Sequence, residues 1–458
     1  MEERLDSTSF LIINRKMLNR NIFSLAWPSV SEHLLHTITM MVDMIMVARL
    51  GTDSIAAVGL SNVIAFTFIA IFGFPLRISA QALTARFAGA NLPGRVRNAG
   101  GNSLGLAIIV GVIISLLGIL GSSWLLSIMG ASESVCLIGT GYLRIVLGIA
   151  LFRIVFFVSS GIQRGMGDAR TPMFIMVVAN IFNIVFNYFL IFGIGIFPRL
   201  GVLGAGIATG GAHILAGISI FFITLCFRKG VPVSLSDVKR LDVNMVRNIW
   251  RIAIPATLET TVRRIGLLIF MRMVAALGTA ALAAHQLAIR IEAFSFMIGV
   301  GFGIVASTLV GQSLGAGKIS LAEESIKKTS YYAIGLMAML SFAFILFPGV
   351  ILRIFRPEMG VELLAISALI ICAFEQIPLG LNMVITGGFK GAGDTKIPML
   401  ISAVGSLLIR VPLAYLLVFK LNLGFTGIWI GTVFDWWVKA ILSIIAFYRG
   451  RWRELKFH

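Results

Sequence analysis

The sequence predicts an all-α polytopic membrane protein with twelve transmembrane helices in two pseudo-symmetric six-helix bundles. Three observations carry that prediction. Apolar runs of membrane length recur along the whole chain. Basic residues alternate between the segments that join those runs. The second half of the chain repeats the first.

The 458 residues are 58% hydrophobic and only 13% charged, too apolar to solvate a water-soluble domain of this size. An apolar helix of roughly 20 residues crosses the hydrocarbon core of a bilayer. Runs of that length predict helices at 22–48, 54–82, 98–122, 137–160, 172–193, 203–226, 249–275, 281–311, 329–350, 364–388, 398–419 and 425–448. Some exceed the hydrocarbon thickness, and tilt or protrusion takes up the excess.

The net charge of +18 is spread over short segments between the apolar runs, not gathered in one patch. That excludes nucleic acid as a partner and reads as loops at one membrane face. One set of alternate segments holds most of the lysines and arginines, from Arg4, Arg15 and Lys16 through Arg228, Lys229 and Arg240 to Arg453 and Lys456. The other set holds only Arg49, Arg199, Arg353, Arg356 and Lys420. The bias places both termini in the cytoplasm of a multi-pass plasma (inner) membrane protein. The first twenty residues mix Glu2, Glu3 and Asp6 with Arg15, Lys16 and Arg20, so no cleavable signal is expected. Cys136, Cys226 and Cys372 have neither metal nor redox spacing and read as small buried hydrophobes.

The repeat is visible at a fixed register. Pro28, Leu50-Gly51-Thr52 and Ala56-Ala57 match Pro255, Leu277-Gly278-Thr279 and Ala283-Ala284, each 227 residues later. Gly161, Gly165, Gly167, Asp168 and Pro172 match Gly387, Gly391, Gly393, Asp394 and Pro398, each 226 later. Six helices per half make the repeats parallel, with a substrate path expected at their interface near the midplane. The domains are therefore residues 1–227, a basic linker at 228–248, and residues 249–458. The Gly-x-Gly-Asp loops lack the strand that a dinucleotide fingerprint requires. They read as tight turns and close helix packing, with each Asp capping the next helix.

The set formed by Pro28, Asp43, Leu50-Gly51, Leu277-Gly278-Thr279, His285-Gln286, Gln312, Gly317 and the paired Gly-x-Gly-Asp loops resembles the multidrug and toxic compound extrusion (MATE) family over about residues 20–450. The resemblance implies alternating access and export of small organic cations or amphipathic drugs, driven by a Na⁺ or H⁺ gradient, with no ATP and no other cofactor. A fused repeat supplies both halves of a pathway, so a monomer in membrane lipid is expected.

Ionisable groups inside spans are costly and mark functional sites. Glu32, His36 and Asp43 share one face of the first helix, and Asn180, Asn183 and Asn187 one face of the fifth. The resemblance makes Asp43 an ion-coupling carboxylate. It also implies an Asn and, four residues on, an Asp; these fall at Asn183 and Asn187, where the second is Asn here. Thr209 stands where the family supplies a hydroxyl oxygen, with His213 one turn on. If the ion is Na⁺, its ligands are Asp43, Asn183, Asn187 and Thr209. A second-half polar or substrate site is expected from Glu259 and Arg263, paired one turn apart, and from Glu375, Asn382 and Thr386. His285, Gln286, Arg290, Glu292 and Asp435 are further candidates. Arg77 and Arg153 are expected to be paired or to lie near the cytoplasmic boundary. Met40, Met41, Met44 and Met46 around Asp43 suit varied apolar ligands as well as plain packing.

Three alternatives stand beside the antiporter. A lipid-linked precursor flippase of the wider superfamily would use Arg77, Arg153, Arg263 and Arg264 for a pyrophosphate, although such relatives often have more helices. An intramembrane enzyme is disfavoured, because His33-x-x-His36 lacks the glutamate of a zinc-protease motif. A passive channel gives no reason for two lobes with unequal acid sets.

Overall fold

The computed structural model describes residues 15–226, 233–355 and 357–455. Arg4, Arg228, Lys229, Arg356, Lys456 and the start of the 228–248 linker lie outside the described residues. Twelve helical spans follow one another: α1 (Leu18–Ala48), α2 (Thr52–Gly89), α3 (Pro93–Ile128), α4 (Glu133–Gly148 with Ala150–Gly165), α5 (Arg170–Phe192) and α6 (Val202–Cys226), then α7 (Val243–Ala275), α8 (Thr279–Gly315), α9 (Ile319–Leu346), α10 (Met359–Ala373 with Gln376–Ala392), α11 (Lys396–Lys420) and α12 (Gly424–Arg449). No strand occurs among the described residues.

Eight of these helices are long and apolar enough to cross a membrane unaided, and the bent pairs α4 and α10 make ten. The remaining two are α1 and α7, the first helix of each half. They fall short because they carry Glu32 and Asp43, or Glu259, Arg263 and Arg264. Their charge is tolerated only where it finds partners or water.

Apolar length predicted where helices lie, but not their internal breaks. α4 bends by 41° at Ile149 and α10 by 51° at Phe374–Glu375. α2 contains a π-helical turn at Ile69–Gly73, and α11 contains two, at Val404–Arg410 and Leu416–Lys420. Such turns leave hydropathy unchanged and often sit at functional positions. The start of α9 lies ten residues before the predicted 329, because its first three turns are polar (Ile319–Lys328). A short helix, Pro348–Arg353, follows it.

The chain packs as two compact units. Unit 1 is Ser31–Ala253, and the described part of unit 2 is residues 15–30 with 254–455. Both divisions fall inside a first helix, close to Pro28 of α1 and Pro255 of α7. Each proline deletes a backbone hydrogen bond within its helix. The described linker residues belong to unit 1. There Ser234 and Asp237 form a capping box for the helix Leu235–Lys239, which lies on glycines of α3. A Cβ on Gly101 would stand 2.7 Å from the Asp237 carbonyl oxygen. Asn98 Nδ2 donates to Asp242 Oδ2 at 3.0 Å and holds that carboxyl below its usual range.

The repeated glycines do the same job in each unit. In unit 1, Gly161 and Gly165 of α4 bring its backbone against Arg77 and Gln81 of α2; added Cβ atoms would lie 2.6 and 2.8 Å from their carbonyl oxygens. In unit 2, Gly387 and Gly391 of α10 lie against Gly303 and Ser307 of α8, and the same distances would be 2.2 and 2.0 Å. The loops beyond end as expected. Gly167 and Gly393 take positive φ, +96° and +85°, which glycine adopts without a Cβ penalty. Asp168 Oδ1 accepts from Arg170 N at 2.9 Å and Thr171 N at 3.1 Å, and Asp394 Oδ1 from Ile397 N at 3.2 Å. Of the cysteines, Cys372 is buried, Cys136 half-buried and Cys226 exposed.

Candidate functional site

Unit 1 gathers a polar cluster from three helices. α1 supplies Asp43, α5 supplies Asn183 and Asn187, and α6 supplies Thr209. The four-residue spacing on α5 puts both amides on the face that meets α1 and α6. Asn187 Nδ2 donates to Asp43 Oδ1 at 2.6 Å. The Asn183 amide lies between Asp43 and Thr209. In one orientation its nitrogen donates to Thr209 Oγ1 at 3.2 Å. Turned over, its nitrogen reaches both Asp43 oxygens at 2.8 and 3.2 Å, and its oxygen accepts from Thr209 at 3.2 Å; that orientation satisfies both ends.

Asn187 is fully buried, and its Oδ1 has no partner among the described residues. An orphaned buried acceptor costs free energy until something binds it. Asp43, Asn183, Asn187 and Thr209 together supply hard oxygens, the donor type that a small cation takes. Asn180, one turn earlier, is half-buried, and its Nδ2 has no hydrogen-bond partner among the described residues. Asn187→Leu removes both the bond to Asp43 and the free oxygen. It is expected to raise the half-saturating concentration of the driving cation in vesicle efflux about tenfold, as for one charge-assisted hydrogen bond. An unchanged value would remove Asn187 from the ligand set.

The sequence profile of the MatE family matches twice, at residues 28–189 and 255–416. The chain belongs to the MatE family. The two matches begin on Pro28 and Pro255, the register of the internal repeat. This MatE protein is 29% identical over 443 residues to a probable multidrug resistance protein NorM of Thermotoga maritima, covering 95% of this chain and 94% of that one. It is 27% identical to the uncharacterised transporter YisQ of Bacillus subtilis, at 95% and 94% coverage. Among solved structures, a MOP superfamily transporter from Pyrococcus furiosus aligns with a TM-score of 0.88 at 25% identity, covering 95% and 96%. An outward-facing MATE multidrug resistance transporter aligns with a TM-score of 0.89 over 98% of both chains; at 24% identity it speaks for the fold alone. The twelve-helix, two-bundle fold of a multi-pass membrane transporter follows, and the flippase alternative is not favoured.

Unit 2 of this MatE chain differs from its sequence-based reading. Glu259 does not pair with Arg263. Its Oε1 accepts from Lys390 Nζ of α10 at 2.9 Å, while Arg263 is exposed. Lys390, brought in by α10, takes the Glu259 carboxylate, and Arg263 lies exposed instead. Asn382 Nδ2 donates to Ser443 Oγ at 2.8 Å and to the Lys439 carbonyl at 3.2 Å, so it ties α10 to α12. Thr386 donates to the Asn382 carbonyl of its own helix at 2.7 Å. Glu375, at the α10 break, is fully buried, and neither oxygen has a geometrically good hydrogen bond among the described residues; carboxylate oxygens of Glu375 and Glu292 and the Cys372 sulfur lie within 4.8 Å of one another. His285 is buried between Phe270 and Trp429, at ring distances of 5.7 and 5.3 Å.

Asp435 Oδ2 accepts from Lys439 at 2.8 Å and from Arg410 at 2.7 Å. Sequence reasoning missed Arg410, Lys439 and Cys372. The four-residue spacing of Asp435 and Lys439 was the available signal. For Arg410 the signal was its place inside the predicted span 398–419; it ends the π-helical turn of α11.

In unit 1, Glu32 pairs with buried Arg164. His36 lies within electrostatic reach of Arg153, not in the Asp43 cluster. Of the two outcomes expected for Arg77 and Arg153, pairing is not seen among the described residues. Arg77 stacks its guanidinium 5.9 Å from the Phe74 ring, and neither arginine forms a salt bridge with a described residue.

Proposed function

We propose that this chain is a secondary antiporter of the plasma (inner) membrane, with both termini cytoplasmic. It exports cationic or amphipathic organic compounds in exchange for Na⁺ or H⁺ and works as a monomer. The observation that carries this reading is the Asp43–Asn183–Asn187–Thr209 cluster, with its orphaned buried oxygen, inside a transporter related to multidrug resistance proteins. A carboxylate that holds a cation in one phase of the cycle and releases it in the next links inward ion movement to outward substrate movement. The relatives are named as transporters and not as enzymes, and a non-enzymatic role is part of the same reading.

The test is ethidium efflux from proteoliposomes under an imposed Na⁺ or H⁺ gradient. Wild type is expected to respond to one gradient, which names the ion. Asp43→Asn is expected to lower gradient-driven efflux at least about a hundredfold, because without the carboxylate the gradient has no site to act on. Gradient-driven efflux that survives in Asp43→Asn would move the coupling elsewhere in the chain.

A further inference from the structure

Unit 1 contains an intramembrane arginine that the cation site does not use. Arg153 opens the second segment of α4, just past the Ile149 bend, and is 8% exposed. Its Nε has no partner, and it forms no salt bridge among the described residues. The bend sets it against Tyr142 of the first segment, whose Oη donates to Asn62 Oδ1 at 3.0 Å and so brings no charge. The titratable groups facing it from the neighbouring helices are His36 of α1 and His213 of α6. Both are basic. Of the two acids that the spans of unit 1 place nearby, Glu32 is committed to Arg164, and Asp43 is held by the Asn187 amide and forms no salt bridge with Arg153 among the described residues. The region around Arg153 is therefore short of one negative charge.

An arginine at membrane depth without a counter-charge is costly, and such residues mark substrate or ion paths. A guanidinium presents paired N–H groups whose geometry matches the two oxygens of a carboxylate or phosphoryl group. From this we infer that Arg153, flanked by His36 and His213, binds the oxyanion group of an amphipathic substrate. The inference rests on the efflux reading and narrows it. The preferred substrate carries a carboxylate or phosphoryl group beside its apolar or cationic part.

The test is equilibrium binding of a matched dye pair to the full-length protein in lipid nanodiscs. Rhodamine B carries a free carboxylate, and its ethyl ester replaces that charge with a neutral, slightly larger ester on the same cationic ring system. Wild type is expected to bind the acid at least about tenfold more tightly than the ester. Arg153→Gln is expected to bring the two affinities together, and Arg153→Lys to retain part of the difference. Equal affinities in wild type overturn the proposal, as does a preference that survives in Arg153→Gln. A third outcome also overturns it: no acid preference, with a chloride- or phosphate-dependent rise in Tm lost in Arg153→Gln and kept in Arg153→Lys, would assign the site to a free inorganic anion. Because binding needs no gradient, a failure of ion coupling leaves this result readable.

Discussion

Asp435→Asn is expected to lower the thermal stability of the protein more than any other single neutralisation in unit 2. Asp435 is fully buried in α12 and is the acid that Arg410 and Lys439 both contact, at 2.7 and 2.8 Å. Lys439 is itself buried, and its Nζ finds one further partner, Ser406 Oγ at 2.9 Å. Removing one partner of a buried ion pair leaves a desolvated charge behind and costs about 3–5 kcal/mol. Here two cations lose their counter-charge in one substitution. We expect a fall in Tm of roughly ten degrees or more in detergent, with loss of the monodisperse peak on size-exclusion chromatography. The double variant Asp435→Asn/Lys439→Met removes one of the stranded charges and should recover part of the loss. If the single variant melts within a degree or two of wild type, the triad is not the structural anchor argued here.

Gly391→Ala should be nearly as damaging, although it adds one methyl group. The new Cβ would lie 2.0 Å from the Ser307 carbonyl oxygen and 2.6 Å from its Cα, both backbone atoms of α8. No rotamer relieves that clash, so α8 and α10 must move apart along a seam where Gly387 meets Gly303 in the same way. Overpacking a tight interior costs about 1–3 kcal/mol where side chains can adjust, and backbone cannot adjust cheaply. Membrane helices associate through close packing rather than through a hydrophobic drive, so separating them forfeits the main attraction at this seam. The expected result is several-fold less folded protein in the membrane. Gly335→Ala in α9, where nothing lies within 4 Å of the new atom, is the control and should accumulate normally. Wild-type levels and Tm for Gly391→Ala would show that the seam tolerates the extra width.

Much of this was legible in the sequence, for definable reasons. Helix number and the parallel repeat follow from apolar length and from identities at one register, and both are local properties of the chain. Asp43 and the asparagines of α5 stood out as intramembrane polar residues at helical spacing, whereas their grouping with each other and with Thr209 came from the resemblance to the MATE family. Pairing was less legible, because it depends on which helices touch. Glu259 was assigned to Arg263 one turn away, and the structure gives it Lys390 from a helix more than a hundred residues later. The bends at Ile149 and Glu375 and the π-turns of α11 leave composition unchanged, so periodicity has nothing to read. They are also what brings Arg153 beside Tyr142 and what presents Arg410 to Asp435.

The first helix of each half starts in one unit and finishes in the other. Residues 15–30 pack in unit 2, where Arg15 pairs with Glu324, Phe23 meets Tyr332 at 4.9 Å, and Val30 lies against Gly301. The opening turns of α7 pack in unit 1, where the Ile249 carbonyl accepts from Ser79 Oγ at 3.1 Å. Neither half is therefore a self-sufficient piece of protein. A polypeptide severed between α6 and the capped linker helix would yield two fragments that each hold a segment the other needs. Expressed alone, each would be degraded; expressed together, they would complement.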